Sequence, residues 1–145
     1  MIKKLSNIGD CGIVCDFGDE VNRDINTGVI KLFNYIKKEV SAGNLNGILN
    51  YTPSYNKLII SFDLKTINSS QIMSFIKSVN FSKLNFSQSN KKFTIPICYD
   101  FEMDLENMSK TLKMNREEII NIHLNTDFFI YMVGFIPGHP FMGDL

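Results

Sequence analysis

The sequence lacks a net charge, a long apolar run and a signal-like start. Its 145 residues include 15 Lys plus Arg and 15 Asp plus Glu, so no global field attracts the chain to nucleic acid or to an anionic membrane. The longest apolar run, 128–137, is far short of the roughly 20 residues that span a bilayer. The first ten residues contain two lysines but no apolar stretch of about 7 to 15 residues, as a secretory signal requires, so we expect a cytosolic protein.

The sequence is also poor in cysteine. Its three cysteines, Cys11, Cys15 and Cys98, cannot all pair, and in a reducing cytosol they stay thiols. Cys11 and Cys15 are four residues apart in a strand-like run, which predicts that both side chains lie on one face. A zinc site needs more clustered ligands than His123 and His139 far downstream, so we expect no metal site and cysteines that behave as small core hydrophobes.

Several nucleotide-binding and hydrolytic motifs are absent. There is no G-x-x-x-x-G-K-[ST] loop, which would hold nucleotide phosphates, and neither G-x-S-x-G nor H-E-x-x-H occurs. If ATP is involved, another element or another chain must therefore help to hold it.

The first part of the chain alternates strand and helix patterns. Residues 5–17 predict two short strands, and Asp19 to Gly43 predict a long amphipathic helix with Asp19 as its N-cap. A hairpin follows over 48–62, and Asn68 caps a second helix over 68–79. This β-β-α-β-β-α order buries its apolar faces most simply as one antiparallel sheet with both helices on one side.

A polar segment divides the chain. Residues 80–92 are rich in Ser, Asn and Lys and predict a boundary between domains over 1–85 and 92–145. Phe93 to Tyr99 predicts the strand that opens the second domain, with Pro96 indicating an edge or a bulge because proline donates no ladder hydrogen bond.

Residues 105–124 predict two short helices joined by a tight turn, which is the outline of a helix-turn-helix. The outward face of the second helix has two acids and one base, a poor match for phosphates. We therefore favour a helical insertion packed on a sheet and expect no nucleic-acid partner. The predicted outward residues are Asn115, Arg116, Glu117, Glu118 and Asn121.

The terminal segment follows an apolar strand, 128–133, that we expect to be buried. Its glycines and prolines predict a sharp turn at a sheet edge, where exposed N–H groups can bind a carboxylate or a developing oxyanion. On spacing alone, a plain tight turn with Phe135, Phe141 and Met142 in the core explains the segment equally well. The turn-forming residues are Gly134, Pro137, Gly138, Pro140 and Gly143.

The segment 134–143, GFIPGHPFMG, resembles the GF-x-PGF-P-(Y/F)-x-G signature of the family that contains the B-type subunit of 5-oxoprolinase and allophanate hydrolase subunit 1. That family also includes a sporulation-kinase inhibitor and part of the urea carboxylase carboxyltransferase domain. Ile95 to Asp100 is similar to the start of the family's second domain, and Asn115 to His123 to its capped helix ending in histidine. Gly9-Asp10, Phe17-Gly18 and the Pro53–Tyr55 turn resemble its first domain.

Two departures from the family pattern stand out. His139 replaces an aromatic residue of the signature, and the chain ends at Leu145, whereas similar family members continue further. The resemblance therefore implies a fragment, a truncated frame or half of a split protein. The implied fold is α+β: an N-terminal antiparallel sheet domain, then the first part of a cyclophilin-like β-barrel with a helical insertion.

The resemblance implies a subunit of an ATP-dependent 5-oxoprolinase, which converts 5-oxo-L-proline to L-glutamate. The subunit would act with a sister carboxyltransferase-like protein, the C-type subunit of 5-oxoprolinase, and with a third subunit, and would be inactive alone. ATP would bind in the assembled complex. The alternatives are a regulatory inhibitor of a histidine kinase, a subunit of the allophanate hydrolase or urea carboxylase type, and an inactive chain.

The resemblance places the terminal segment at the substrate cleft. Phe135, Pro137, Gly138 and Phe141 are the candidate substrate-binding residues, with amides near Gly138 receiving a carboxylate or oxyanion. His123 and His139 are the candidate proton-transfer residues, because only histidine has an ordinary pKa near neutrality. For His123 the alternative is a buried ring satisfied by a backbone carbonyl, and for His139 a packing role is favoured.

Overall fold

The computed structural model describes residues 1–84, 91–101 and 103–143. These residues form two compact units: 1–84 together with 130–143, and 91–129 without residue 102. None of the described helices is both long enough and apolar enough to cross a bilayer.

The first unit is built on a four-stranded antiparallel sheet. Its strands are β1 (Lys4–Asn7), β2 (Gly12–Asp16), β3 (Ile48–Pro53) and β4 (Lys57–Phe62), and they lie in the order β1-β2-β4-β3. In the central pair, Ile13 of β2 lies opposite Ile60 of β4, and Cys15 lies opposite Leu58. The register thus places alternate apolar side chains of both strands on the same face.

Two helices, α1 (Arg23–Ser41) and α2 (Ser69–Ser78), cover that face. Their apolar stripes and the inward residues of β2 and β4 form one continuous buried cluster, while Ile59 on the opposite face of β4 is 41% exposed. The predicted β-β-α-β-β-α order and the antiparallel sheet with both helices on one side are confirmed. The cluster includes Ile13, Phe17, Val29, Leu32, Ile36, Leu58, Ile60, Phe62, Ile72 and Ile76.

The helix ends follow local capping chemistry. The side chain of Asn68 accepts from Gln71 N–H and the Gln71 side chain accepts from Asn68 N–H, so the predicted capping box of α2 is confirmed. The predicted start of α1 at Asp19 is wrong: its N-cap is Asn22, whose side chain accepts from Ile25 N–H at 2.9 Å. The side chain of Asp19 instead lies 3.9 Å from Lys57 Nζ.

The second unit contains α3 (Leu105–Leu112) and α4 (Arg116–Asn125). A capping box of Asn115 and Glu118 opens α4, as predicted, and the predicted outward residues of this helix are exposed. The predicted strand over 93–99 is wrong, because this stretch forms no ladder within the part of the chain that the structure describes. An apolar alternation indicates which side chains share a face, but a strand also needs a neighbouring strand.

Two further strands, β5 (Phe129–Val133) and β6 (Pro140–Gly143), form a two-stranded sheet. Only Tyr131 of β5 is buried, at 2% exposure, whereas Val133 is 58% exposed, so the expectation of a buried strand is wrong. Residues 130–143 group with the first unit, although the sequence predicts them in a domain over 92–145. The cause is contacts of Asn26 and Tyr55 with Tyr131. The domain bounds of the whole protein and the cyclophilin-like barrel stay predictions.

The cysteines do not share a face. Cys11 is exposed in the turn that precedes β2, whereas Cys15 lies within β2 and is buried, so the prediction for this pair is wrong. Burial raises the pKa of the Cys15 thiol to about 12, because the thiolate would lose its hydration. Cys15 is therefore a core hydrophobe, whereas Cys11 and Cys98 are exposed thiols.

Candidate functional site

The hairpin loop between β5 and β6, residues 134–139, is made of two successive tight turns. The N–H of Gly134 donates to the oxygen of His139 at 3.1 Å, which closes the loop. Inside it, Ile136 N–H donates to Gly134 O at 2.8 Å, a three-residue turn centred on Phe135, whose φ is 66°. Such a turn with positive φ is rare and strained for a residue with a side chain.

The second turn explains the Pro-Gly pair of the segment. His139 N–H donates to Ile136 O at 3.1 Å, with Pro137 and Gly138 at the two central positions. Gly138 has a φ of 83°, which is the left-handed conformation that a type II turn requires at its third residue. Proline fixes φ at the second residue, and glycine alone enters the third without steric cost.

The N–H of Gly138 is available to a ligand. It donates to no acceptor among residues 1–84, 91–101 and 103–143, and Gly138 is exposed. A Cβ built on Gly138 would meet no atom within 4 Å. An outward N–H with open space beside it can receive a carboxylate or an oxyanion.

Aromatic rings connect the loop to the body of the first unit. The ring of His139 lies 5.0 Å from Phe141 and 6.4 Å from Phe135, both with edge-to-face geometry. Phe141 in turn contacts Tyr55 at 6.3 Å, and Tyr55 contacts Tyr131 at 5.6 Å. The hairpin thus presents one row of rings, half-buried at Phe141 and open to solvent at the tip.

The side chain of Phe135 points away from the core. It is 91% exposed, and Met142 is 45% exposed. The alternative interpretation, a plain turn with Phe135 and Met142 in the core, is therefore wrong, and only Phe141 has the half-buried position that it required.

Asn26 of α1 anchors the base of this hairpin. Its side-chain nitrogen donates to the backbone oxygens of Ser54 at 3.2 Å, Tyr55 at 3.0 Å and Tyr131 at 3.1 Å. Asn26 is 3% exposed, so its amide loses its hydrogen bonds to water on folding, and these three carbonyls replace them. One side chain thereby joins α1, the β3–β4 turn and β5.

Sequence reasoning missed both Asn26 and Tyr55. The available signal for Asn26 is its place on the apolar stripe of α1, three residues before Val29, because a polar residue there must find partners in the core. Tyr55 was identified only as part of a turn, and nothing in its local sequence indicates contact with a distant strand.

A polar network fixes the chain next to the β3–β4 turn. Lys57 Nζ donates to Asp16 Oδ1 at 2.6 Å and to Gly18 O at 2.7 Å, and Gly18 N–H donates to Asp16 Oδ1 at 2.8 Å. The hydrogen bond from Lys57, together with that from Gly18, holds the pKa of Asp16 below its ordinary value. The network keeps β2, β4 and the start of the loop before α1 in register.

His123 lies in the second unit, near the end of α4. The Tyr99 hydroxyl and His123 Nδ1 are 2.6 Å apart, and the ring of Phe128 lies 5.2 Å from the imidazole. His123 is exposed. The alternative of a buried histidine satisfied by a backbone carbonyl is therefore wrong, since its Nδ1 partner is a side-chain hydroxyl.

The structure thus places five predicted site residues in one hairpin: Phe135, Pro137, Gly138, His139 and Phe141. His123 belongs to the other unit. The binding and catalytic roles assigned to these six residues stay predictions. Within the described ranges, no three His, Cys, Asp or Glu side chains converge in a way that could hold a metal ion.

Comparison with known proteins identifies the family. The model of the carboxyltransferase domain, subdomain C and D, matches residues 3–145. The B-type subunit of the 5-oxoprolinase of Bacillus subtilis (strain 168) is 28% identical over 98% of this chain, and the chain spans 63% of that protein's length.

Solved structures share the fold. The crystal structure of TTHA0988 superposes on 90% of this chain with a TM-score of 0.71 and 22% identity, over 25% of its own length. The urea carboxylase of Kluyveromyces lactis superposes on 94% of this chain with a TM-score of 0.64 and 14% identity, over 14% of its own length. The mixed helix and sheet arrangement is therefore shared with both proteins. Together with the match over residues 3–145, this confirms the resemblance inferred from the sequence: the chain belongs to the carboxyltransferase-domain family, subdomains C and D.

Proposed function

We propose that this chain forms part of a subunit of a cytosolic, ATP-dependent 5-oxoprolinase, which converts 5-oxo-L-proline to L-glutamate. The observation that carries the proposal is the 28% identity with the B-type subunit of a 5-oxoprolinase over 98% of the chain. The free N–H of Gly138 in the 134–139 loop supports it, because the substrate has a carboxylate and an amide carbonyl, both of which accept hydrogen bonds.

In this proposal the hairpin binds the substrate. The free N–H of Gly138 receives the substrate carboxylate or the oxyanion that forms when the ring carbonyl is attacked. Phe135, Pro137 and Phe141 supply apolar surface against the five-membered ring. Such apolar contacts increase the rate by holding the substrate in a reactive orientation.

Proton transfer completes the chemistry assigned to this chain. Opening a cyclic amide breaks a C–N bond, so the leaving nitrogen needs a proton from a general acid. His123 and His139 are the two candidate donors, and His139 contacts the rings of Phe135 and Phe141 at the hairpin. The role of each histidine is tested with its own variant, because His123 and His139 belong to different units.

In this proposal, ATP binds to the assembled complex. The chain has no phosphate-binding G-x-x-x-x-G-K-[ST] loop, so a sister carboxyltransferase-like subunit, with a third subunit, would supply most of the nucleotide contacts. The chain alone is then inactive, and turnover requires the complex.

The test is co-expression of the chain with its sister and third subunits, followed by measurement of glutamate release from 5-oxoproline with and without ATP. Gly138→Ala should lower the rate by about 100-fold, because a side chain is strained at the φ of 83° and the resulting shift of the turn moves the N–H away from the oxyanion. Gly43→Ala is the matched control, because Gly43 also has a positive φ, 75°, and no atom within 4 Å of a built Cβ. The control should retain the unaltered rate.

Two histidine variants complete the test. His123→Ala should abolish most turnover, whereas His139→Phe, which restores the aromatic residue of the family signature, distinguishes chemistry from packing at that position. Full activity of His139→Phe would assign His139 to packing. The site assignment is wrong if Gly138→Ala and His123→Ala both keep the rate, and the proposed function is wrong if the unaltered complex releases no glutamate.

A further inference from the structure

We propose that Tyr99 is a positioning residue for His123: it binds the imidazole at Nδ1 and leaves Nε2 as the nitrogen that exchanges a proton with the substrate. The catalytic part of this inference rests on the proposed function. The Tyr99–His123 bond itself does not, and the two can be tested separately.

The geometry of the pair is that of a directed hydrogen bond. The Tyr99 oxygen and His123 Nδ1 are 2.6 Å apart, while the ring centroids are 6.0 Å apart and the ring planes meet at 88°. The rings therefore meet edge to face, with the Tyr99 hydroxyl within hydrogen-bond distance of Nδ1.

Phe128 restricts the imidazole further. Its ring centroid lies 5.2 Å from that of His123, with planes inclined by 53°, and Phe128 itself is half-buried. Tyr99 and Phe128 therefore leave the imidazole fewer orientations than an exposed histidine usually has. No described residue bonds to Nε2, which stays open to a ligand.

The Tyr99 hydroxyl can hydrogen-bond to the His123 imidazole in either of its charge states, because a hydroxyl both donates and accepts. Toward the neutral tautomer with its ring proton on Nε2, the Tyr99 O–H donates to Nδ1. Toward an imidazolium, or toward the neutral ring left when Nε2 has given up its proton, Nδ1–H donates to the Tyr99 oxygen instead. The bond survives both states, whereas a backbone carbonyl could bond only to Nδ1–H.

The proton balance follows from this exchange of roles. In the net reaction, water adds to the ring carbonyl carbon and releases a proton to solvent; when the C–N bond then breaks, the imidazolium gives its Nε2 proton to the leaving nitrogen and becomes neutral. Its remaining proton stays on Nδ1, bonded to the Tyr99 oxygen, until Nε2 takes up a proton from water. Tyr99 neither gains nor loses a proton over the cycle.

The bond can be tested without turnover. The chain has two histidines, so ¹⁵N-histidine labelling gives four ring nitrogens, and His139→Phe identifies those of His123. The imidazole of His139 has no hydrogen bond in the described structure and serves as the internal reference. We expect a larger Nε2–H fraction for neutral His123 than for His139, and Tyr99→Phe should bring the two to the same value.

The catalytic role is tested in the assembled complex. Tyr99→Phe should lower kcat by about tenfold with KM unchanged, less than the roughly 10²–10⁴-fold that a general acid contributes itself. Tyr35→Phe is the control, since Tyr35 makes a stacked ring contact with Phe75 and no described hydrogen bond. It should leave kcat unchanged.

Unchanged nitrogen shifts of His123 in Tyr99→Phe would overturn the inference. It is equally overturned if those shifts change but kcat stays at the unaltered value. If the unaltered complex releases no glutamate, the proposed function fails, and the nitrogen shifts still decide whether Tyr99 holds His123.

Discussion

The side-chain amide of Asn26 donates a 3.1 Å hydrogen bond to the backbone oxygen of Tyr131, 105 residues further along the chain. The same nitrogen bonds to the oxygens of Ser54 and Tyr55. Asn26 has two N–H protons for three acceptors, so at least one proton is shared. The hairpin that holds the candidate binding residues is thus fixed to the first unit through a buried polar contact.

Replacing Asn26 with alanine should destabilise the chain. The substitution removes a donor shared by three backbone oxygens, of which the contact with Tyr131 is buried and the other two are partly buried, and a lost buried hydrogen bond of this kind costs about 1–3 kcal/mol. The measurement is urea unfolding followed by circular dichroism. Asn34→Ala, an exposed asparagine on the same helix, is the control and should change the unfolding free energy little; equal effects of the two variants would contradict this role of Asn26.

Replacing Phe135 with glycine should stabilise the chain. A side chain in the left-handed region costs about 1–2 kcal/mol, and glycine removes this strain. The greater unfolded-state entropy of glycine offsets only about 0.5–1 kcal/mol of that stabilisation. The side chain of Phe135 is 91% exposed, so little packing is lost. Phe135→Ala keeps the positive φ and should leave the melting temperature unchanged.

The two Phe135 variants also separate stability from binding. If Phe135 contacts the substrate as proposed, both should raise KM in the assembled complex, although only Phe135→Gly raises the melting temperature. Unaltered KM in both would remove Phe135 from the substrate-binding residues.

Stability at low pH should depend on Asp16. Its pKa is lowered from 3.8 by the hydrogen bonds from Lys57 and Gly18. A carboxyl group with a lowered pKa in the folded state stabilises that state above its unfolded pKa and loses this contribution as the pH falls through the folded value. Unfolding free energies measured from pH 7 downward should therefore fall more steeply below about pH 4 than in Asp16→Asn.

The control for this pH dependence is Asp10→Asn, which removes an exposed carboxylate outside the Lys57 network. It should retain the steep fall of the unaltered chain. An Asp16→Asn curve parallel to that of the unaltered chain at low pH would show that the Lys57 contact does not contribute to stability.

The three thiols should react differently with a water-soluble thiol reagent. Cys11 and Cys98 are exposed, whereas Cys15 has no exposed surface and a pKa of about 12, so almost no thiolate forms at neutral pH. Native chain should release two equivalents of chromophore and denatured chain three. Cys11→Ser and Cys98→Ser should each lower the native value by one, and a third fast equivalent in the native chain would contradict the burial of Cys15.

Features set by near neighbours in the chain could be predicted from the sequence. The capping boxes of Asn68 with Gln71 and Asn115 with Glu118 need partners only three residues apart. The turn at Pro137 and Gly138 follows from the φ preferences of two residues. The family resemblance likewise depends on a continuous segment, 134–143.

Features that join distant segments could not be predicted. The bond between Tyr99 and His123 spans 24 residues, and that between Asn26 and Tyr131 spans 105, so only the folded topology brings these groups together. The strand predicted over 93–99 failed for a related reason. Alternation of apolar residues fixes which side chains share a face, but it contains no information about the neighbour that a ladder requires.

The long separation between Asn26 and Tyr131 also bears on the order of folding. During synthesis, the four strands and two helices of residues 1–84 are made before Tyr131. The oxygens of Ser54 and Tyr55 already satisfy the Asn26 amide at that stage. We therefore expect the 129–143 hairpin to dock last on a preformed sheet and to be the first segment to open, with faster native-state hydrogen exchange than β2 and β4.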